Sequence, residues 1–283
     1  MLYICPTPIG NLKDVTLRVL EVLKAVDVIA CEDTRHTTVL LRHYGIVPRR
    51  LVSFHDYNEE QRLAVLLPLL EEGKEVALVS DAGMPGLSDP GFSLVRACAA
   101  RRLPVTVLPG PSSISTALVA SGLPSACFAF VGFLARGRRA LVEQLERFEN
   151  TGATVVAFES PRRLRASLAV IAERWPDREI ALCRELTKLY EEVLRGRAAH
   201  ILQNLPERVR GEVVLVLAPS SADIVGARST DRVREALAEL LDLGLGTKRA
   251  ATLVAGLSGQ SVRAVYELAL SLRPRGGKEV GCG

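Results

Sequence analysis

Residues 2–11 (LYICPTPIGN), 79–91 (VSDAGMPGLSDPG) and 107–113 (VLPGPSS) share one plan: a short apolar run ending in a loop rich in proline and glycine. A buried parallel strand reads this way when its carboxyl end feeds a ligand crevice. Three such loops close together in sequence predict one binding site built from several strand ends. The segments between them alternate strand and helix. Strands are expected at 2–5, 27–31, 75–79 and 105–108, with helices at 14–24, 34–43 and 92–101. Asn58, Glu59, Glu60 and Gln61 read as a capping box opening a helix to about Glu72. Repeated strand–helix–strand order predicts a parallel sheet covered on both faces.

A helix from 112 to 121 stops at Gly122-Leu123-Pro124, a candidate hinge, and the pattern then changes. Strands are expected at 127–131, 154–158, 179–183, 190–195 and 212–217, with helices at 137–148, 161–174 and 198–204. Two strands in quick succession near 179–195 require an antiparallel pair, hence a mixed sheet. Residues 229–272 read as three short helices, broken at 244–246 and 258–260, with Ser261 as a candidate N-cap. The predicted class is therefore α/β: a parallel N-terminal sheet, a mixed C-terminal sheet and a small helical module. The expected domains are 1–118, 119–220 and a helix-turn-helix-like segment, 228–273. From pattern alone, those last helices serve equally well as packing for the sheets.

Composition removes several classes. Of the 283 residues, 48% are hydrophobic and 24% charged, without the bias of a disordered chain. No apolar run reaches the length of a membrane span, and the start reads as a strand, not a signal peptide. Cys5, Cys31, Cys98, Cys127, Cys183 and Cys282 form no CxxC pair. A reducing, cytoplasmic setting is expected, with neither disulfide framework nor metal site. Net charge is +4. Its clustering says more: Arg136, Arg138 and Arg139 form one group, Arg162, Arg163 and Arg165 a second, and Lys248, Arg249 and Arg263 lie near the C-terminus. Solvated helix faces and a polyanion track are both open readings.

The loops are poor phosphate cradles, because the two prolines of PTPIGN remove N–H donors that an anion site needs. Carbonyls and a tight apolar wall suit a neutral or positive group in an adenine-sized slot, such as the sulfonium of S-adenosylmethionine.

The ordered series PTPIGNLKDVT, ACEDTRHT, FHDYNE, VSDAGMPGLSDPG, LPGPSS, FESPRRL, RELTK and GEVVLVL resembles the bacterial ribosomal RNA small-subunit methyltransferase I family. That family lies within the tetrapyrrole methylase superfamily. The resemblance runs from Leu2 to about Tyr266. It implies a two-lobed tetrapyrrole-methylase-like fold, S-adenosylmethionine as cofactor, and 2′-O-methylation of a cytidine in 16S rRNA of the 30S subunit. It also implies a homodimer and no membrane attachment. By position, cofactor contacts would fall at Pro8, Ile9, Asp81, Ala82, Met84, Ser112, Ser113, Ile114 and Phe158. Met84 stands where the family often has threonine, so only a backbone contact would survive there.

A ribose hydroxyl becomes a competent nucleophile when its proton is taken up. Candidate bases are Glu32, Asp33 and His55. Arg35 and Lys188 are candidates for orienting phosphates or a developing alkoxide, so Glu32, Arg35 and Lys188 form the expected catalytic set. Each has a plainer reading: Asp33 and Glu32 as helix caps paired with Arg35, Glu185 with Lys188 as a turn ion pair, and His55 as a satisfied loop residue. RNA contacts are expected from Arg136, Arg138, Arg139, Lys248, Arg249 and Arg263. A tetrapyrrole C-methyltransferase and a non-catalytic RNA-binding scaffold are the competing readings.

Overall fold

The computed structural model describes residues 1–220, 226–258 and 261–272. It forms two units, one of residues 1–148 with 153–218, the other of 149–152 with 219 onward. Residues 259–260 of the expected second break, and Cys282, lie outside the described residues.

In the first unit, β1 (Leu2–Ile4), β2 (Val28–Cys31), β3 (Leu51–Ser53), β4 (Val76–Val79) and β5 (Val105–Val107) form a sheet in the order β3-β2-β4-β1-β5. Every pairing in it is parallel. Strand β3 is not among the expected strands, because only Leu51 and Val52, between Arg50 and Ser53, form its apolar run. Helices α1 (Leu17–Ala25), α2 (Thr34–His43), α3 (Glu59–Glu71) and α4 (Phe92–Ala100) connect these strands. β2 and β4 are buried at every residue. Full burial on both faces explains their unbroken apolar sequences, and each buried Val, Leu or Ile contributes about 1.5–3 kcal/mol.

Two local expectations need correction. Residues 12–14 form a 3-10 turn, and α1 starts only after Thr16, whose hydroxyl accepts the Val19 N–H at 3.2 Å. Asn58 precedes α3 without a side-chain cap bond. Its amide turns back instead, accepting from the His55 N–H and donating toward the Ser53 carbonyl. Glu59 is likewise drawn away, accepting the Gly91 N–H at 3.2 Å. Bonds of Asn58 within the preceding loop, and of Glu59 to Gly91, have replaced the expected box.

Helix α5 (Ser113–Ser121) ends at Gly122 in the left-handed conformation. The second sheet follows: β6 (Phe128–Phe133), β7 (Thr154–Glu159), β8 (Glu179–Arg184), β9 (Glu192–Arg197) and β10 (Val213–Leu217), in the order β6-β7-β10-β8-β9. Only β6–β7 is parallel; the other three pairs are antiparallel, so the sheet is mixed as expected. Helices α6 (Arg138–Glu146), α7 (Leu164–Arg174) and α8 (Ala198–Asn204) cover one face. α5 covers the other: its Ile114, Ala117 and Leu118 share a core with Val156, Ala181, Val214 and Val216, and Ile9 of the first loop joins them.

In the second unit, α9 (Gly226–Asp242), α10 (Thr247–Ser258) and α11 (Val262–Leu272) enclose a core that includes Val233, Leu237, Val254 and Val265. Ser261 caps α11, its hydroxyl accepting the Ala264 N–H at 3.2 Å. Among the described residues, no helix is long and apolar enough to cross a membrane.

Candidate active site

In the first sheet, β1 and β4 are neighbours, yet the chain leaves β1 toward β2 and leaves β4 toward β5 on the opposite side. This reversal opens a crevice at the strands' carboxyl ends. The β1 and β4 loops are fastened together there. Thr7 and Gly83 exchange both backbone hydrogen bonds, at 2.9 and 3.0 Å, and the buried Thr7 hydroxyl donates to the Ser80 carbonyl at 3.0 Å. The β4 loop needs left-handed backbone at Gly83, Gly86, Ser88 and Gly91. At Ser88 this is a strained state for a residue with a Cβ, of the kind concentrated at functional sites.

A cavity of about 470 Å³ opens beside this loop, within the usual range for small-molecule sites. Ile9, Asp81, Ala82, Met84, Ser112, Ser113, Ile114 and Phe158 line it, and so does Glu32 from the end of β2. These residues come from five separate chain segments that the topology brings together. Pro8 does not line this cavity; it faces a second one of about 290 Å³ with Thr7, Leu12, His36 and Asp81. Ile9 is buried in the α5 core. Successive residues of an extended loop face opposite ways, which divides Pro8 from Ile9.

Further lining residues carry much of the chemistry: Asp89, Phe133, Glu159, Ser160, Gly211 and Glu212. Asp89, Glu159 and Glu212 lie inside the segments DPG, FESP and GEVV, but only the fold brings them to one cavity. The cavity wall thus holds five carboxylates, Glu32, Asp81, Asp89, Glu159 and Glu212, and no Lys, Arg or His. Burial, reinforced by Glu32 and by Asp81 and Asp56, pushes the Asp89 carboxyl up to about 7 against a partly offsetting Ser80 hydrogen bond. Glu32 is also raised, by burial first and by Asp81 second. Such a wall repels phosphate and selects an organic cation. Phe133, half exposed, meets Phe158 edge-to-face at 5.5 Å and gives the cavity an aromatic side.

Glu159 is the structural member of the set. Its buried carboxylate accepts the Ser160 N–H at 2.6 Å and the Ser167 hydroxyl, and pairs with Arg163 at 2.5 Å. Arg163 also donates to the Leu134 carbonyl. Glu159→Ala strands these donors, and a lost hydrogen bond to a charged group costs about 1.5–3 kcal/mol. Thermal unfolding of the purified variant is expected to show that loss as a lower Tm.

The other expected residues divide. Asp33 caps α2, accepting the Arg35 N–H at 2.8 Å, and grips the exposed Arg35 guanidinium through both carboxylate oxygens. That interaction holds Asp33 well below the usual carboxylate range. The plain reading therefore holds for Asp33. Glu32 takes no part in that cap and faces the cavity. His55 is not among the lining residues; its ring meets the Asn58 amide at 3.0 Å. Lys188 bridges Glu185 at 2.9 Å and Glu212 at 3.0 Å, pinning a turn in which Glu185 and Thr187 are left-handed. It holds a cavity-wall residue in place and does not itself line the cavity.

Arg136, Arg138 and Arg139 are exposed at the start of α6. Arg138 pairs with Glu173 and Arg139 with Glu143. Of the second arginine group, Arg163 holds Glu159 and Arg165 donates to the Leu205 and Pro206 carbonyls, so both brace the fold. Lys248, Arg249 and Arg263 are exposed in the helical unit, with Arg263 paired to Glu267 at 3.2 Å. Among the described residues, no group of three or more His, Cys, Asp or Glu side chains is placed to hold a metal ion.

Comparison with known proteins bears on the same segments. Residues 1–202 match the model of the Tetrapyrrole (Corrin/Porphyrin) Methylases, and residues 227–273 match the RsmI C-terminal HTH domain. The ribosomal RNA small subunit methyltransferase I of Escherichia coli O157:H7 is 44% identical over 95% of this chain and 94% of its own length. The protein of that name from Thermotoga maritima is 46% identical over 76% of this chain and 97% of its own. Among solved structures, the methyltransferase CobJ superposes with a TM-score of 0.58 at 20% identity, covering 78% of this chain and 94% of that one. A Thermus thermophilus uroporphyrin-III C-methyl transferase complexed with S-adenyl homocysteine gives 0.53 at 19%, covering 77% and 96%. These distant structures share the fold. By the close relatives and the two matched models, the chain belongs to the ribosomal RNA small subunit methyltransferase I family, within the tetrapyrrole methylases.

Proposed function

We propose that this chain is an S-adenosylmethionine-dependent methyltransferase that modifies small-subunit ribosomal RNA, at the 2′-hydroxyl of a cytidine in 16S rRNA. The observation that carries the reading is the cavity at the β1/β4 reversal, lined by carboxylates and by no cationic side chain. S-adenosylmethionine fits that lining: its sulfonium and ammonium are the cations such a wall selects, and Phe158, Ile114 and Ile9 offer apolar surface for an adenine. When bound, it supplies an electrophilic methyl group on a sulfonium. Asp81, Ala82, Met84, Ser112 and Ser113 would fix its orientation, with Asp89 as the main buried counter-charge. Met84 packs against the core of the first sheet, so its side chain has a structural use besides any backbone contact.

The remaining requirement is a proton acceptor beside the ribose. Glu32 meets it best, because it lines the cavity from the end of β2 and its raised proton affinity suits a general base. Arg35, tied to Asp33 yet almost wholly exposed, is placed to meet a phosphate without entering the cavity. The names of the close relatives support the rRNA substrate. A ribosomal substrate also places the enzyme in the cytoplasm, and we extend the reading to a homodimer.

The test is transfer of tritiated methyl from S-adenosylmethionine to 30S subunits of cells lacking the endogenous enzyme, with nuclease mapping. Label at a single 2′-O-methylcytidine is expected. Label on a base would refute the ribose assignment. No label on 30S or naked 16S rRNA, with methylation of uroporphyrinogen, would overturn the rRNA reading.

A further inference from the structure

Asp81 belongs to two cavities. One oxygen of its carboxylate accepts the Asp33 N–H at 3.1 Å, and the other lies 3.4 Å from His36 Nδ1. On one side it lines the acidic cavity; on the other it lines the cavity of about 290 Å³. The two differ sharply in lining. The smaller has Asp81 as its single carboxylate and is otherwise walled by the apolar Pro8, Leu12, Val39 and Leu40, with His36, Ser80 and two threonines as polar points. Mainly apolar walls with a few convergent polar groups describe a site for a flat, neutral heterocycle.

Charge around the two cavities divides the same way. His36 of the smaller cavity is followed back along α2 by Arg35, whose side chain is 87% exposed. Leu12, on another wall, is followed by the exposed Lys13. One cavity thus offers only negative charge to a ligand, whereas the other has a single carboxylate in its wall and cations beside it, as a nucleotide with an outer phosphate requires.

We infer that the cavity between the β1 loop and the start of α2 receives the base of the acceptor: a pyrimidine extruded from the RNA stack, with Asp81 on the wall shared with the cofactor cavity and the ribose left at that shared edge, open to the methyl donor. The inference rests on the rRNA reading and deepens it. Extrusion is what allows a nucleotide buried in an RNA fold to reach a reacting group in a pocket. Val39, exposed at the mouth, and Leu40 flank the base; His36 and Thr37 present hydrogen-bonding groups to it; Arg35 and Lys13 take the adjoining phosphates. The shared wall puts the ribose next to Glu32, whose carboxylate receives the Asp81 N–H at 3.4 Å.

Val39→Trp tests this by obstructing the mouth. The residue is 62% exposed, so the change strains no core. Methyl transfer to 30S subunits is expected to fall at least tenfold, with the S-adenosylmethionine Kd by calorimetry within twofold of wild type and Tm unchanged. His36→Ala is expected to raise KM for 30S subunits with the same unchanged cofactor Kd. A second route needs no variant: 16S rRNA carrying 5-iodocytidine at the methylated position should photo-crosslink to the peptide spanning 34–43. Wild-type transfer by Val39→Trp, or a crosslink confined to the β6–α6 or β7–α7 segments, overturns the acceptor site and leaves the enzyme's activity standing. Failure of the wild-type chain to methylate rRNA overturns both.

Discussion

Asp89→Asn is expected to weaken S-adenosylmethionine binding by roughly 30-fold or more, since truncating one partner of a buried charge pair costs about 2–5 kcal/mol. The carboxylate is carried into the cavity on a loop with four left-handed residues. The effect has a pH signature. Asp89 titrates at about 7, and a cation pairs with its ionised form. Below that pH, binding must first remove a proton, so wild-type affinity should rise with pH between 6 and 7.5, by up to about tenfold per unit. The asparagine variant should lose this dependence. Folding gives the opposite sign. A carboxyl whose folded pKa is raised contributes stability that is complete below its ordinary value near 4 and lost as pH rises through 7. Without cofactor at pH 8, Asp89→Asn should therefore melt no lower than wild type. Calorimetric titration across this range, with thermal melts alongside, checks both. Unchanged affinity in the variant would remove Asp89 from the cofactor site.

Glu32→Gln is expected to lower kcat for rRNA methylation by about 10²–10⁴, the range attributed to general-base catalysis, with little change in cofactor Kd. Glutamine keeps the shape and can still accept the Asp81 N–H, so a purely structural role would leave the rate nearly intact. The wild-type rate should rise with pH through a carboxylate titration displaced above the usual range, because burial and Asp81 both favour the protonated form. The variant's residual rate should lack that limb. Glu32→Asp, which keeps the base but retracts it, should fall between the two. A Gln variant with the wild-type pH–rate profile would rule Glu32 out as proton acceptor.

Lys188 and Arg35 show how chemistry read from residue type can differ from chemistry read from contacts. Both are cations in motifs that track the family, but Lys188 is engaged by two carboxylates and Arg35 by one. The Lys188 turn also leaves no room for a side chain at Gly10: a Cβ there would sit 2.8 Å from the Leu186 carbonyl oxygen. The glycine of PTPIGN is needed for that close approach, a reason invisible from the motif itself.

The sequence by itself determined the parallel character of the first sheet, the mixed second sheet, the loops that bear the site and the family. These follow from local signals: unbroken apolar runs for strands buried on both faces, two strands too close for a crossover, and punctuation by proline and glycine. Tertiary structure alone decided the strand order β3-β2-β4-β1-β5, the short strand β3, and the bond from the Gly91 N–H to Glu59, the first residue of α3. It also decided that Glu32, Asp81, Asp89, Glu159 and Glu212 share one wall, and that adjacent Pro8 and Ile9 part company. The physical reason is common to all of these. Propensity and periodicity act over a few neighbouring residues, whereas the charge of a cavity is a sum over groups as far apart in sequence as β2 and β10, set by which strands lie side by side.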